Sequence, residues 1–423
     1  MVWGITNRRH FLKHVGASAA FLGASNAFVS ALAAETATLK KNNKALIILR
    51  MGGGASTLDL WDMKPGHPNG GEHKPKATAA SGIQISEHLP ELAKQFKNLS
   101  IVRSLSTTEG DHMRGTVLTT TGHSPNPLVN YPPVGSVVAY QFRDAEPELP
   151  PFISVGTGTR DGGFLGMKFA PFTIQNPGSP PENIRPPQDV GEPRMVSRSR
   201  LFEGLETSFK TGVEKDATKA HHEIYDKALG LVVSKNKDVF SLDDKESAKL
   251  RDTYGRNQFG NGCLLARKLI DSGAVCVEVG FGGWDMHQGI FPALATRTLP
   301  SLDKGFAALV SDLSQRGRLK DVAILWVTEF GRTPRINQNG GRDHYPRAWS
   351  VVLGGGAIKG GIAYGSTDEG GEAVKDNKVT INDVYATVYK ALGLDPAAQI
   401  RDNLSRPLAI AGEKAKVITD LVG

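Results

Sequence analysis

The sequence predicts an α/β protein in which a doubly wound, mainly parallel sheet is sandwiched by helices. Short apolar runs that are typical of buried strands alternate along the chain with segments of helical spacing. Hydrophobic residues make up 39% of the 423 residues, which is enough for a large core, and the 48 glycines show no repeat and therefore indicate loops. Because ligands bind outside the carboxyl ends of the strands in such sheets, the residues that follow each strand are the first candidates for a functional site.

The individual elements follow from these patterns in chain order. The first strand, within 44–54, is an apolar run that ends in glycines. Further apolar runs bounded by turn residues predict strands within 100–105, 151–156, 274–281, 321–330 and 348–356. Apolar residues at helical spacing predict helices within 88–99, 134–142, 299–317 and 381–393, and 201–272 has a mainly helical pattern. Residues 35–423 are predicted to form a single domain, in which 172–200, rich in Pro, Asn, Gly and Arg, is a surface insertion.

The first 34 residues are predicted to be a signal peptide of the twin-arginine type. The pair Arg8–Arg9 is followed, one residue later, by Phe-Leu-Lys, and then by uncharged residues rich in Ala, Gly and Ser. Ala31–Ala33 offers the small residues of a cleavage site. A retained membrane anchor is the alternative, because Val15–Ala34 is just long enough to span a bilayer. With the signal removed no membrane span is expected, and the predicted location is the periplasm or the cell exterior.

The charge and the cysteines exclude some classes of protein. The formal net charge is +7, but the leader supplies part of it and the remaining Lys and Arg are scattered among acids. Without a dense basic stripe, a nucleic-acid partner is not expected. Cys263 and Cys276 lack the spacing of a zinc site, and both a pair of buried thiols and a disulfide remain open.

Ligand-type side chains follow two of the predicted strands. Asp285 and His287 come just after the strand within 274–281, and Glu329 ends the strand that begins at Asp321. The next loop adds Asp343 and His344. Carboxylates with imidazoles suit zinc, manganese or iron, whereas carboxylates with carbonyls suit calcium or magnesium. Glu329 is able either to bind an ion directly or to hold a ligating histidine, and ordinary loop charges are the alternative for all of these groups.

Three further candidates are less specific. Asp111–His112 stands where a helix through Leu118 is predicted to start, a position that attracts anions, although an Asp N-cap explains it equally well. Arg114 lies in the same cluster. Asp59 follows the first strand and is either a ligand or a turn residue. Arg332 is held between Gly331 and Pro334, and it is either an anion clamp or a structural bridge to an acid.

Five motifs occur along the chain in the order MGGGASTLDLWDMKP, GDHMRGTVLTTTGHSP, GGWDMH, TEFGRTP and GRDHYP. Together they resemble domain-of-unknown-function family 1501, a group of exported bacterial proteins, over about residues 44–396. That family is itself similar to the alkaline phosphatase and sulfatase superfamily. The resemblance implies an alkaline phosphatase-like fold, divalent metal ions and a small anionic ester as substrate.

The resemblance also has clear departures. Glu329 matches the superfamily's metal-binding Asp, and His344 resembles its late His ligand, but Phe330 replaces a ligating His. Sulfatases have a Cys or Ser nucleophile where His112 stands here. The first strand lacks the metal-binding Asp that follows it in the superfamily, and Asp59 is a possible substitute.

Two functions are therefore expected. The first is an exported hydrolase of phosphate or sulfate esters that uses zinc, calcium, magnesium or manganese. Its predicted metal ligands are Asp285, His287, Glu329, His344, Asp343 and Asp59. His112 is the predicted nucleophile or general acid/base, unless a metal-bound water attacks, and Arg332 and Arg114 are predicted to contact the anion. The second is a binding or assembly protein that has lost catalysis and works with an exported or cell-surface protein partner.

Overall fold

The computed structural model describes residues 44–143, 149–156, 158–159, 161–181 and 237–423, together with isolated positions between 184 and 232. The predicted signal peptide lies outside these residues and stays a prediction. Part of the predicted surface insertion does so too, but its first residues, Phe172–Ile174, are a strand of the central sheet. In the described part of the chain, no helix is long and apolar enough to cross a membrane.

Among the residues that the structure describes, the central sheet has eight strands, and all but one run in the same direction. The strands are β1 (Ala45–Met51), β2 (Leu99–Leu105), β3 (Phe152–Val155), β4 (Phe172–Ile174), β5 (Cys276–Phe281), β6 (Val322–Thr328), β7 (Trp349–Gly355) and β8 (Ala363–Tyr364). Their order across the sheet is β8-β2-β7-β6-β1-β5-β3-β4. Only β7 is antiparallel to its neighbours β2 and β6. The remaining pairs are parallel, so the predicted mainly parallel sheet is confirmed.

Six helices of eight or more residues are described. They are α1 (His112–Thr121), α2 (Val134–Gln141), α3 (Lys245–Tyr254), α4 (Gln258–Asp271), α5 (Leu299–Gln315) and α6 (Ile381–Ala391). Shorter α-helical turns occur at Thr57–Leu60, Pro90–Ala93 and Ile290–Ala293. Four small antiparallel pairs join Pro75–Ala77 to Gln84–Ser86, Gly331–Arg332 to His344–Tyr345, Ser366–Thr367 to Val374–Asp376, and Gln399–Arg401 to Pro407–Ala409.

The two faces of the sheet are covered by different helices. Every residue of β1 is buried, and alternate residues point to opposite faces. Ile47 and Leu49 belong to a core shared with α4 and α5, whereas Leu46 and Ile48 belong to a core shared with α2 and α6. This arrangement explains why the strands are continuous apolar runs and confirms the doubly wound fold. Both cysteines are free and lie inside these layers, where burial raises the pKa of each thiol.

The strand register brings three loops to one edge of the sheet. Met51 at the end of β1 pairs with Phe281 at the end of β5 and with Thr328 at the end of β6. The chain segments that leave these strands therefore start side by side. Helix α1 adds a fourth segment: it begins after the N-cap Asp111, whose carboxylate accepts the Arg114 backbone N–H at 3.1 Å, and it ends at the left-handed Gly122.

Candidate metal centre

Asp285, just after β5, is the point on which the other segments converge. Its Oδ1 lies 2.9 Å from His287 Nε2 and 3.4 Å from His344 Nε2, and its Oδ2 lies 3.3 Å from His112 Nε2. One ligand atom from each of His112, Asp285 and His344 lies within 4.8 Å of the other two. The chain therefore gathers four of its predicted site residues, which come from three distant segments of the sequence, at the carboxyl end of the sheet.

The three histidines of this cluster are each held through Nδ1. The partners of His112, His287 and His344 are, in that order, a Glu329 oxygen at 2.7 Å, an Asp343 oxygen at 2.7 Å and the Gly110 carbonyl oxygen at 2.8 Å. Ionised carboxylates and carbonyls only accept hydrogen bonds, so each Nδ1 carries the hydrogen in the neutral imidazole. The lone pair then lies on Nε2, and all three Nε2 atoms face Asp285.

This arrangement fits a divalent ion. Histidines that bind metals in proteins usually donate the other ring N–H to a carboxylate or a carbonyl, as all three do here. Two imidazoles and one carboxylate suit zinc, manganese or iron better than calcium or magnesium, which prefer oxygen ligands. A set of three protein ligands with room for a fourth group is typical of catalytic zinc. His112, Asp285 and His344 are thus the residues that would hold the ion, with His287 beside them.

Glu329 and Asp343 occupy the layer behind the histidines. Glu329 orients His112 with one oxygen, and its other oxygen accepts the Gly53 backbone N–H at 2.9 Å. Of the two roles that the sequence left open for Glu329, this geometry favours holding a histidine. Asp343, which the sequence suggested as a ligand, holds His287 in the same way, and the hydrogen bond with His287 lowers the pKa of the Asp343 carboxyl.

Arg332 is buried beneath the cluster, and each of its side-chain N–H groups has a partner. Its Nε donates to the Gly54 carbonyl at 2.7 Å, and Nη1 donates to the Arg342 carbonyl at 3.0 Å and approaches His287 Nε2 at 3.3 Å. Its Nη2 donates to the Gly53 carbonyl and to Asp285. A guanidinium has five N–H groups, so none is left for a substrate anion. The geometry favours the structural bridge over the anion clamp, although the bridge runs to Asp285 and not to Glu329 or Asp343.

The charge of Asp285 is strongly favoured. Partial burial by itself raises the pKa of this carboxyl, but the hydrogen bond and the positive charge of Arg332, together with His112 and His287, bring the pKa down to about 2. A carboxylate at the centre of the cluster therefore stays negative at neutral pH, which is the form that binds a cation.

Two predicted site residues lie outside the cluster. Asp59 is paired with Arg342, whose Nε and Nη2 donate to its two oxygens at 2.7 Å each, and it also accepts the Ser56 hydroxyl at 2.6 Å. Arg114 is paired with Glu109 through two hydrogen bonds of 2.6 and 2.8 Å. The structure thus places the expected ligand Asp59, and the expected anion contact Arg114, in ion pairs.

Phe330 fills the position at which the superfamily resemblance implies a ligand. Its ring centroid lies 5.3 Å from that of His112 and 4.6 Å from that of His344. It is buried against two glycines: a Cβ at Gly54 would come within 2.5 Å of the Phe330 ring, and one at Gly115 within 2.8 Å. The ring therefore forms an apolar wall beside His112 and His344. It has no atom that binds a metal ion.

A family model described as "Protein of unknown function (DUF1501)" matches residues 43–422. The chain belongs to this family. The assignment made from the five motifs is thereby confirmed. A comparison with curated proteins finds no match to this DUF1501 protein.

Several solved structures resemble the fold at low identity. The lipoteichoic acid synthase LtaP from Listeria monocytogenes is 10% identical with a TM-score of 0.36, covering 88% of this chain and 76% of its own. The C-terminal periplasmic domain of EcEptC from Escherichia coli, in complex with Zn, is 9% identical with a TM-score of 0.38, covering 84% and 86%. A mutant of TAB5 alkaline phosphatase with Mg bound is 11% identical with a TM-score of 0.35, covering 83% and 98%.

Sequence reasoning missed the groups that hold the cluster from behind. The Gly110 carbonyl and the Gly53 N–H are backbone atoms, so no side-chain pattern marks them. Asn337 was also missed: its amide donates to the His287 carbonyl at 2.9 Å and to Asp343 at 3.3 Å. Its place in a Gly- and Asn-rich loop indicates only a turn. The role of these groups follows from folding and not from any motif.

Proposed function

We propose that this DUF1501 protein is an exported, metal-dependent hydrolase of phosphate or sulfate esters. The observation that supports this most directly is the convergence of three histidine Nε2 atoms on Asp285, with every Nδ1 held by an acceptor. A site of this kind at the carboxyl ends of parallel strands is where an α/β enzyme places its chemistry.

The proposed ion is held by His112, Asp285 and His344. It would supply Lewis acidity, because a divalent cation neutralises charge on ester oxygens and lowers the pKa of water. His112 has Nδ1 engaged by Glu329 and Nε2 directed at Asp285, so it is not free to attack the substrate. We therefore assign the attack to water: a new bond forms from its oxygen to phosphorus or sulfur, the bond from that atom to the ester oxygen breaks, and the alcohol leaves with one of the two protons of the water.

The test combines metal content with ester hydrolysis by the purified mature protein. We expect at least one bound or bindable divalent ion per chain, and release of phosphate or sulfate from one class of ester. His112→Gln should lower kcat/KM by at least about a hundredfold, because it removes a ligand and the partner of Glu329. His88→Gln is the matched control, since His88 lies against His73 and not at the cluster. A protein that binds no divalent ion under any condition would exclude the proposal.

A binding protein without catalysis is the second candidate, and Phe330 is the observation that favours it. This side chain stands where a second metal site would need a ligand. In addition, position 112 is a histidine and therefore supplies no hydroxyl nucleophile. If the protein binds a divalent ion through His112 and Asp285 but hydrolyses no phosphate or sulfate ester, the second candidate is correct.

Export is proposed from the first 34 residues alone. Fusion of residues 1–34 to a reporter that is active only outside the cytoplasm should give an exported reporter. Replacing Arg8 and Arg9 by Lys should abolish its export, because the twin-arginine pathway reads that pair. Unchanged export by the double variant would exclude this pathway.

A further inference from the structure

A pocket of about 600 Å³ adjoins the candidate metal centre. It begins at Glu329 and at Thr116, one helical turn after His112, and it extends along α1 to the loop 125–133. Gly158, Thr159 and Asp161 line another part of the pocket, and the buried Arg50 of β1 contributes to its inner surface. The volume lies in the range in which proteins hold small organic molecules, so the space is large enough for the alcohol part of an ester.

The charges around the pocket argue against an anionic occupant. Of the described residues that line it, Arg50 supplies a positive charge, and Glu329 and Asp161 supply negative ones. Arg50 is already paired with the buried Glu278, with 2.8 Å between Nε and a carboxylate oxygen. Glu278 also accepts the Thr159 backbone N–H at 2.6 Å. An anion bound in this pocket would face the carboxylates of Glu329 and Asp161. The Arg50 guanidinium would not compensate for them, because it is already paired with Glu278.

The inner end of the pocket nevertheless has unused hydrogen-bonding groups. Arg50 Nη2 and the Thr120 hydroxyl are buried and have no hydrogen-bond partner among the described residues. Arg50 Nη1 donates to the Thr119 carbonyl at 3.3 Å, and the Tyr385 hydroxyl, which also lies in hydrogen-bonding range of the Arg50 guanidinium, donates to the same carbonyl. Buried polar groups without a partner are rare and call for a ligand or a water. A neutral oxygen is a suitable partner for either group, directly or through a water.

The walls combine polar groups with apolar surface. The lining includes Thr116, Asn126 and Asn130, which have polar side chains, and Val117 and Tyr131, which have apolar surface. A sugar or a cyclitol has the complementary surface, because its hydroxyls form hydrogen bonds around the ring and its C–H groups pack on apolar side chains. We propose that this pocket binds the alcohol part of the ester as a neutral polyhydroxylated ring. That the bound ring is part of an ester rests on the proposed hydrolase function. That the pocket binds such a ring does not.

The first arm of the test compares esters with the same reacting group. With metal-loaded protein, kcat/KM is measured for phosphate and sulfate monoesters of methanol, of neutral sugars and inositol, and of galacturonate. We expect the neutral ring esters to exceed the methyl and the galacturonate esters by at least about tenfold. Val117→Phe, which fills the pocket from a half-buried position on α1, should remove this preference and leave the methyl esters within about twofold. Val117→Ala is the matched control at the same position and should keep the preference.

The second arm needs no catalysis. Neutral sugars, inositol and galacturonate are titrated into the metal-free protein and followed by calorimetry, and Thr120→Val reports on the inner hydroxyl. If neutral rings bind and Val117→Phe abolishes binding while no ester is hydrolysed, the pocket assignment stands and the hydrolase proposal fails. If esters are hydrolysed with dependence on His112, but no neutral ring binds and Val117→Phe affects all esters equally or none, the pocket assignment is overturned. Preference for galacturonate would also overturn it.

Discussion

Two aspartates at the same edge of the sheet show how differently one residue type is used. Asp59 pairs with Arg342, and the two side chains are 1% and 0% exposed. Asp285 pairs with Arg332, but its side chain is 45% exposed, and three imidazoles surround it. Both aspartates are carboxylates bound to a buried arginine. Only the second leaves its charge directed at open space.

The difference lies in how completely each carboxylate is satisfied. Arg342 donates to both oxygens of Asp59, and Ser56 adds a third hydrogen bond, so both oxygens have hydrogen-bond donors. Asp285 is approached by imidazole nitrogens whose hydrogens lie on the far side of each ring, which leaves lone pairs facing its oxygens. Nitrogen lone pairs that face carboxylate oxygens repel them. A cation between them removes this repulsion. The buried pair is therefore structural, and the open cluster is suited to bind an ion.

The largest effect is expected from breaking the buried pair. Arg342→Met leaves the Asp59 carboxylate buried without its counter-ion, and we expect the free energy of unfolding to fall by about 3 to 5 kcal/mol. Urea denaturation of the purified variant measures this. The double variant Asp59→Leu with Arg342→Met removes both charges and should recover part of the loss. A single-variant loss below about 1 kcal/mol would show that the pair does not support the loop.

The open cluster should respond in the opposite way. Asp285→Asn keeps the size of the side chain, and Arg332 keeps three backbone carbonyl partners, so we expect a stability loss below about 2 kcal/mol. The affinity for zinc should fall by at least about a hundredfold, because the central ligand charge is lost. Calorimetric titration of zinc measures the affinity. If the variant unfolds as readily as Arg342→Met but binds zinc normally, the comparison between the two aspartates is reversed.

The sequence predicted the fold and the location of the site for a physical reason. Strands buried on both faces must be continuous apolar runs, and β1 and β6 are visible as such in the sequence. Polar residues just past neighbouring parallel strands lie at one edge of the sheet, which is why Asp285 and Glu329 were candidates, and His344 was added from the loop that follows Glu329.

The roles within the site could not be predicted to the same extent. Whether a carboxylate binds an ion or a histidine depends on ångström distances across loops, as for Glu329 and Asp343, and sequence spacing contains no such information. Asp59 was a reasonable candidate because it follows β1, but its partner Arg342 lies 283 positions away in the chain, so their pairing was not visible.

A smaller effect is expected at Asp343, which holds His287 through Nδ1 and is not one of the three proposed ligands. Asp343→Asn keeps a carbonyl oxygen that still accepts from His287 Nδ1, but it removes a charge that makes His287 more basic. We expect zinc affinity to fall by less than about tenfold, and so less than for Asp285→Asn, because His287 lies beside the three proposed ligands and even the partners of ligating histidines contribute about tenfold. The same zinc titration measures it. A loss equal to that of Asp285→Asn would instead make Asp343 a direct ligand, as the sequence suggested.

The smallest effect is expected at Arg114, because this side chain is paired with Glu109 outside the cluster around Asp285. Arg114 lies on the same helix as His112, but its guanidinium is half exposed and paired with Glu109, and the Ser124 hydroxyl donates to the same acid at 2.9 Å. Exposed ion pairs contribute little, so Arg114→Met should leave zinc affinity unchanged within about twofold. Ester hydrolysis, if present, should keep its KM, because the pair with Glu109 holds Arg114 away from the anion. A KM that rises tenfold with unchanged zinc affinity would restore the predicted contact between Arg114 and the substrate, and it would place the anion on the α1 side of Asp285.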